Sequence, residues 1–180
     1  MDAEWGITIC DPNMLLGVER KMTETNGVRF LEFRMPNYIK DMYNEWHAKM
    51  TEIGRPMRNH NYTVPFPEGK QFSTAGTEEY PRPPDAEIDA VTALFMRFCG
   101  AFLWIARMSM PGLMFSASQF SRVLSACGWD HLKVGMQALQ YAYDHRETGF
   151  RFRSDGNACF VASYDASDNP DPKDGKSQYG

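Results

Sequence analysis

Prolines are concentrated between Thr51 and Asp85, and they constrain how the whole chain can fold. The prolines of this stretch are Pro56, Pro65, Pro67, Pro81, Pro83 and Pro84. Each one removes a backbone donor and disfavours both the interior of a helix and a central strand. A connection this long without regular structure is unusual inside a compact domain. We therefore predict a linker over 51–85 and place a subdomain boundary there.

The segment before the linker has the pattern of a β-hairpin followed by a helix. Two apolar-rich runs, MLLGVERKM and VRFLEFRM, flank the pair Asn26–Gly27, which suits the positive backbone dihedrals of a two-residue hairpin turn. This pattern predicts a hairpin over Asn13–Met35. A helix is predicted after it, from the apolar stripe of Tyr38, Ile39, Met42, Tyr43, Trp46 and Met50.

After the linker, apolar residues keep a helical period through three successive segments. The first starts near Asp85 and contains Gly100, where we expect a close approach between helices. The third ends near Arg146 and is closed by Gly149 in the manner of a glycine cap. We predict a three-helix segment over 86–150.

The last part of the chain returns to a β pattern. Phe150–Arg153 and Cys159–Asp165 are strand candidates on either side of the turn sequence Asp155–Gly156–Asn157. The residues after Asp165 are polar and acidic. The predicted fold class is therefore α+β: a β-hairpin plus helix, a long Pro-rich linker, a three-helix segment, and the start of a second β-sheet over 151–180.

The composition excludes several classes of protein. The net charge of −4 gives no overall basic signature of nucleic-acid binding, which leaves room only for a local basic groove. The cysteines are scattered without a CxxC pair, which argues for buried thiols rather than structural zinc. No signal-peptide pattern is present, and Arg97 and Arg107 interrupt the most apolar segment. We expect an intracellular, cytoplasmic protein with no membrane contact.

Asp165 is the candidate for metal chemistry. The sequence FVASYDASDNPD delivers this carboxylate at the end of an apolar strand, where it can be presented to a divalent cation. Taken alone, an aspartate after a strand is more often a turn-former. The histidines form no cluster along the sequence, and we expect them to be surface or packing residues.

Read in order, these segments resemble a copia-type (LTR) retrotransposon reverse transcriptase/ribonuclease H polyprotein. MLLGV, NGVRFLEF and PNYIKDMYNEW are similar to the strand, return strand and helix that follow the catalytic hairpin of that family. The family's central signature corresponds here to Arg97, Gly100, Trp104, Met110–Pro111–Gly112 and Ser121–Arg122. FVASYDASD followed by KSQYG is similar to the first ribonuclease H strand and its lysine–serine turn. Met110 and Gly112 depart from the family, which has a charged pair around this proline.

The resemblance implies an RNA-directed DNA polymerase with ribonuclease H activity that uses Mg²⁺. Residues 1–50 would be the end of the palm and the start of the thumb, 51–85 a linker, and 86–150 the helical thumb or connection region. Residues 151–180 would begin a ribonuclease H-like domain, with Asp165 as its first catalytic, metal-binding aspartate. The polymerase aspartates would precede Met1 and the other ribonuclease H carboxylates would follow Gly180. We therefore expect the isolated chain to be inactive.

The partners implied by the resemblance are an RNA/DNA template-primer and the remainder of the polyprotein, in the cytoplasm, a virus-like particle or the nucleus. Candidate phosphate contacts are Arg34, Lys40, Lys49, Arg55 and Arg58. Ordinary solvated charge is an equally good interpretation for each of them, because acidic residues are interleaved. A non-catalytic α+β interaction protein, or a decayed or domesticated transposon relic, is the alternative.

In a polymerase that contains this chain, Asp165→Asn is expected to abolish cleavage of the RNA strand while sparing DNA synthesis, because it removes a metal ligand from one site only. The measurement is both activities on one labelled hybrid substrate. Equal loss of both, in a protein shown to be folded, would contradict the assignment.

Overall fold

The computed structural model describes residues 13–70 and 72–154, which form a mixed α+β fold, as predicted. The strands are β1 Met14–Leu15, β2 Val18–Thr25, β3 Val28–Arg34 and β4 Phe150–Ser154. The α-helices are α1 Pro36–Glu52, α2 Ile88–Met108, α3 Met114–Arg122 and α4 Trp129–Asp144. Single 3-10 turns occupy Asp85–Glu87, Pro111–Leu113 and Leu124–Ala126. The predicted strand Cys159–Asp165, including the candidate ligand Asp165, lies outside the described residues.

The predicted hairpin is confirmed. Asn26 and Gly27 adopt φ of 53° and 75°, as a two-residue turn of this kind requires, and the strands pair from Thr25↔Val28 outward. A second pair with positive φ, Leu16 and Gly17, connects β1 to β2. The sequence analysis missed that turn because leucine is a poor residue for the left-handed region.

The sheet is antiparallel in the order β1-β2-β3-β4. The strand predicted at Phe150–Arg153 forms, and it pairs with β3 in the register Phe33↔Phe150. It therefore belongs to the same sheet as the predicted hairpin. A Cβ atom at Gly149 would lie 2.1 Å from the carbonyl oxygen of Phe33. The prediction that Gly149 caps a helix is wrong: α4 ends at Asp144, and Gly149 permits close approach of two strands.

The helices enclose one hydrophobic core, and α2 passes through its centre. Phe95, Phe98, Phe102 and Ile105 of α2 are fully buried, as their spacing predicts. The stretch Asp85–Met108 is long and apolar enough to cross a membrane, a criterion that the core helix of a soluble protein also meets. In this fold its apolar stripe packs against the other helices.

Helix α1 extends two residues into the predicted linker, to Glu52. From Ile53 to Pro84 the described part of the Pro-rich stretch has no helix or strand, as predicted. We call residues 55–84, with 71 excepted, the strap. Its aromatic residues Phe66, Phe72 and Tyr80 are buried and belong to the same core cluster as α2 and α4. The prolines therefore shape an irregular segment that packs onto the helices, which a spacer between separately packed bodies would not do.

The close helix approach predicted at Gly100 is wrong, since a Cβ atom there has no neighbour within 4 Å. It occurs instead at Gly135 of α4, where a Cβ atom would lie 2.7 Å from the ring of Phe98. Periodicity identified the correct face of α2 but could not identify which glycine of the chain its large residues contact.

Gly135→Ala is expected to destabilise the protein by about 1–3 kcal/mol, because the buried Phe98 ring would have to move. Gly100→Ala is the matched control: it lies in the exposed face of α2 and is expected to stabilise by about 0.5–1 kcal/mol. Denaturant unfolding measures both. Equal changes in the free energy of unfolding for the two variants would show that the Phe98 ring does not restrict the size of the side chain at position 135.

Candidate functional site

Two of the predicted phosphate contacts, Arg55 and Arg58, line one cavity of about 470 Å³. Its lining also includes Lys133, which the sequence analysis did not select. The cavity lies between the end of α1, the beginning of the strap and the first half of α4. Its remaining lining residues are Met50, Pro56, Met57, Tyr62, Trp129, Asp130, Met136 and Gln137.

Helical spacing explains why α4 contributes so much of this lining. Asp130, Lys133 and Gln137 follow one another at intervals of three and four residues, so they lie on one face of the helix. The signal was therefore present in the sequence. It was missed because the opposite wall comes from the strap, about 70 residues earlier.

Arg55 is held at the entrance by two neighbours. Its guanidinium carbon lies 4.3 Å from the centre of the Trp129 ring, a cation–π contact. Glu87 accepts a hydrogen bond of 2.5 Å from the indole N–H of Trp129 and lies 3.9 Å from Arg55. The charge of Arg55 is thus partly compensated, and the Trp129 ring is fixed in orientation.

Arg58 and Lys133 differ from Arg55, because both are exposed and neither forms an ion pair within residues 13–70 and 72–154. Asp130 is the acidic member of the cavity lining. Two cationic groups therefore remain available to a ligand beside a wall of methionine and aromatic side chains.

A smaller cavity of about 180 Å³ continues from the first along α4. Tyr62, Asp130, Lys133 and Gln137 line both. The continuation adds Pro67, Lys70, Glu79, Tyr80 and Val134. We call the two cavities together the α4 groove. Lys70 and Glu79 pair with each other at 2.5 Å at its far end.

His131 fixes the wall of the groove from behind. Its Nδ1 accepts a hydrogen bond of 2.9 Å from the backbone N–H of Gly128, so its Nε2–H donates to the carbonyl oxygen of Ser73 at 2.8 Å. The ring stacks on Tyr80 at 4.4 Å. These contacts join the N-terminus of α4 to the strap. His131 is a packing residue, as the sequence analysis predicted.

The other predicted phosphate contacts do not line this cavity. Arg34 lies 3.4 Å from Glu19 and 3.3 Å from Glu147, so two carboxylates hold it at the sheet. Lys40 and Lys49 are nine residues apart in α1, which places them on opposite faces at about 100° per residue. Their role as phosphate contacts stays a prediction.

The described ranges contain no group of three or more His, Cys, Asp or Glu side chains that could hold a metal ion. The magnesium site predicted around Asp165 lies outside those ranges. Cys99 and Cys127 are buried free thiols, as predicted for these two. Burial raises the pKa of Cys99 to about 12, so this thiol is protonated and unreactive at neutral pH.

Burial lowers the pKa of His131 in the folded chain, although its hydrogen bond to Ser73 and the charge of Asp130 act in the other direction. The unfolded state, with a pKa of about 6.5, therefore binds the proton first as the pH falls. His131 is therefore expected to have no effect on the pH dependence of the free energy of unfolding above about pH 6.5. Below that value the free energy of unfolding is expected to fall as the pH falls. His131→Gln keeps an acceptor for Gly128 and is expected to flatten this dependence.

The measurement is urea unfolding at about pH 7.5 and about pH 5.5. His47→Gln is the control, since His47 is exposed on α1 and takes no part in the contacts that join α4 to the strap. A pH dependence that survives in His131→Gln would contradict this role.

The α4 groove is thus a recess with cationic side chains at its rim and aromatic and methionine side chains on its walls. Such a recess can bind an anionic ligand that also has flat or apolar parts. Comparison with protein-family models, with curated proteins and with solved structures gave no match to this chain.

Proposed function

We propose that the chain is the nucleic-acid-holding part of a copia-type reverse transcriptase/ribonuclease H polyprotein, and that it contacts the backbone of an RNA/DNA template-primer. The observation that carries the proposal is the convergence of Arg55, Arg58 and Lys133 on one groove. The order of sequence motifs supports the family assignment.

The chemistry of the rim suits phosphate. Arginine presents a planar fork of donors that matches phosphate oxygens, and lysine adds a compact charge. The chain as a whole carries a net charge of −4, so binding has to rely on a local cluster. Arg58 and Lys133 supply such a cluster, because they line one cavity and neither forms an ion pair with a described carboxylate, although Asp130 lines the same cavity.

In this proposal the described residues hold the substrate, and catalysis takes place elsewhere in the polyprotein. Asp165 contributes one Mg²⁺ ligand to a ribonuclease H site, which is completed by further carboxylates. Two-metal hydrolysis needs several carboxylates, and its ions sit about 4 Å apart. Mg²⁺, where bound, would supply charge stabilisation for cleavage of a phosphodiester, Asp165 would be one of the residues that hold it, and the groove would position the strand.

A non-catalytic interaction protein is the second candidate function, and the sheet favours it. Met22, Leu31 and Phe152 are cross-strand neighbours on one face, in the register Met22↔Leu31 and Leu31↔Phe152. Met22 is 65% exposed and Phe152 is 53% exposed. An uncovered apolar row of this kind is typical of surfaces that contact another protein. In the polymerase proposal the rest of the polyprotein covers it.

The chain is expected to bind a labelled RNA–DNA template-primer with an affinity that falls steeply with salt. Arg58→Ala and Lys133→Ala are each expected to weaken binding to a similar degree for every nucleotide sequence. Each is also expected to reduce the slope of log affinity against log salt concentration by about 1. Fluorescence anisotropy across a salt series measures both quantities.

Arg107→Ala is the matched control. Arg107 is exposed in the last turn of α2, near Ser109 and Met110, which share a cavity with Tyr141 at the opposite end of α4 from Trp129. It should leave affinity and slope unchanged. Absence of template-primer binding by the folded chain, or equal effects of all three variants, would contradict the proposal and favour the interaction protein.

A further inference from the structure

We propose that the α4 groove binds the unpaired, single-stranded part of a nucleic acid, with bases stacked on its aromatic walls and phosphates at its rim. This inference rests on the proposed function and narrows it. A polymerase fragment that only grips duplex backbone would need the cations but not the enclosed aromatic recess.

The two cavities of the groove lie side by side along α4. Tyr62, Lys133 and Gln137 line both of its cavities, so a ligand passing from one to the other stays in contact with α4. Residues 130 to 137 of the helix cover about 10 Å along its axis. A recess of this shape fits an extended polymer better than a compact small molecule.

Aromatic side chains occur along the whole groove. Trp129 and Tyr62 line the larger cavity. Tyr62 and Tyr80 line the smaller one, where Tyr80 is buried and already stacked on His131. Tyr62 and Trp129 are only partly buried, so part of each ring is accessible. Base–aromatic stacking tolerates any sequence because every base has a flat face, and it combines with cations that follow the backbone.

Cations alternate with these rings. Arg58 and Lys133 stand at the larger cavity, and Lys70 stands at the smaller one. Lys70 is paired with Glu79, so the charge available to phosphate is concentrated around Arg58 and Lys133. The polar groups Asp130 and Gln137 line both cavities, where they can accept from or donate to a base edge.

Whether the bases are paired determines which form of nucleic acid, duplex or single strand, can use the aromatic walls of the groove. In a duplex the flat faces of the bases are stacked inside and only backbone and groove edges are exposed, so they cannot reach Tyr62 or Trp129. Unpaired bases can be splayed out and stacked on aromatic rings. An acidic peptide would satisfy Arg58 and Lys133 but would leave the ring faces without a stacking partner.

The test compares three labelled ligands by fluorescence anisotropy with the full chain: a single strand of about 12 nucleotides, a blunt RNA–DNA hybrid of the same sequence, and an oligoglutamate peptide. The single strand is expected to bind about tenfold more tightly than either of the others. Tyr62→Leu is expected to weaken single-strand binding about tenfold, because it removes a ring on which a base stacks. Tyr62→Phe keeps the ring and should bind as the wild type does.

The outcomes separate this inference from the proposed function. Equal binding of the blunt hybrid, or no effect of Tyr62→Leu on the single strand, overturns the inference and leaves template-primer binding intact. Oligoglutamate binding as tight as that of the single strand overturns it in favour of an acidic protein partner. Failure of all nucleic acids to bind overturns both proposals. Thermal unfolding of each variant confirms that it is folded.

Discussion

The contact of the Phe98 ring with the backbone of Gly135 is the constraint on which the described structure depends. Phe98 lies where the four helices of the described chain meet: Trp46 of α1 packs edge-on at 5.5 Å, Phe120 of α3 lies at 5.6 Å, and Gly135 of α4 leaves room for the ring. Aromatic pairs in this geometry are favourable beyond their buried area. Because one ring touches every helix, the absence of a side chain at Gly135 sets how closely α4 can approach.

The position of the groove follows from that contact. Lys133 and Gln137 lie two residues on either side of Gly135, so at about 100° per residue they project from nearly the opposite face of α4. Packing Gly135 inward therefore turns these two side chains outward, toward the strap. His131 then ties the strap to α4 through Gly128 and Ser73, which closes the second wall of the groove. The core contact and the candidate site therefore lie on opposite faces of the same helix.

Sequence periodicity predicted the four helices, the hairpin and its Asn26–Gly27 turn, because these depend on neighbouring residues. It did not predict the pairing of β3 with β4, which joins residues more than 100 positions apart. The strap was predicted to be a linker, because the proline positions disfavour helices and strands there. They do not indicate whether the aromatic residues between them are buried. The site was predictable only in part. Arg55 and Arg58 were among the phosphate contacts that the family resemblance implied, whereas Tyr62, Trp129 and Lys133 become neighbours only through the tertiary fold.

Helix α1 connects the two surfaces that we propose as partner contacts, the apolar row of the sheet and the α4 groove. It starts next to β3 of the sheet, and its last turn contains Met50, which lines the groove. At about 1.5 Å per residue its 17 residues are about 25 Å long. Ile39, Met42 and Trp46 anchor it in the core along this length, so it acts as a fixed spacer. In the proposed polymerase, the apolar row of the sheet and the cationic groove are therefore held apart at a set distance. One can contact protein while the other holds nucleic acid, and neither has to be remodelled for the other to be occupied.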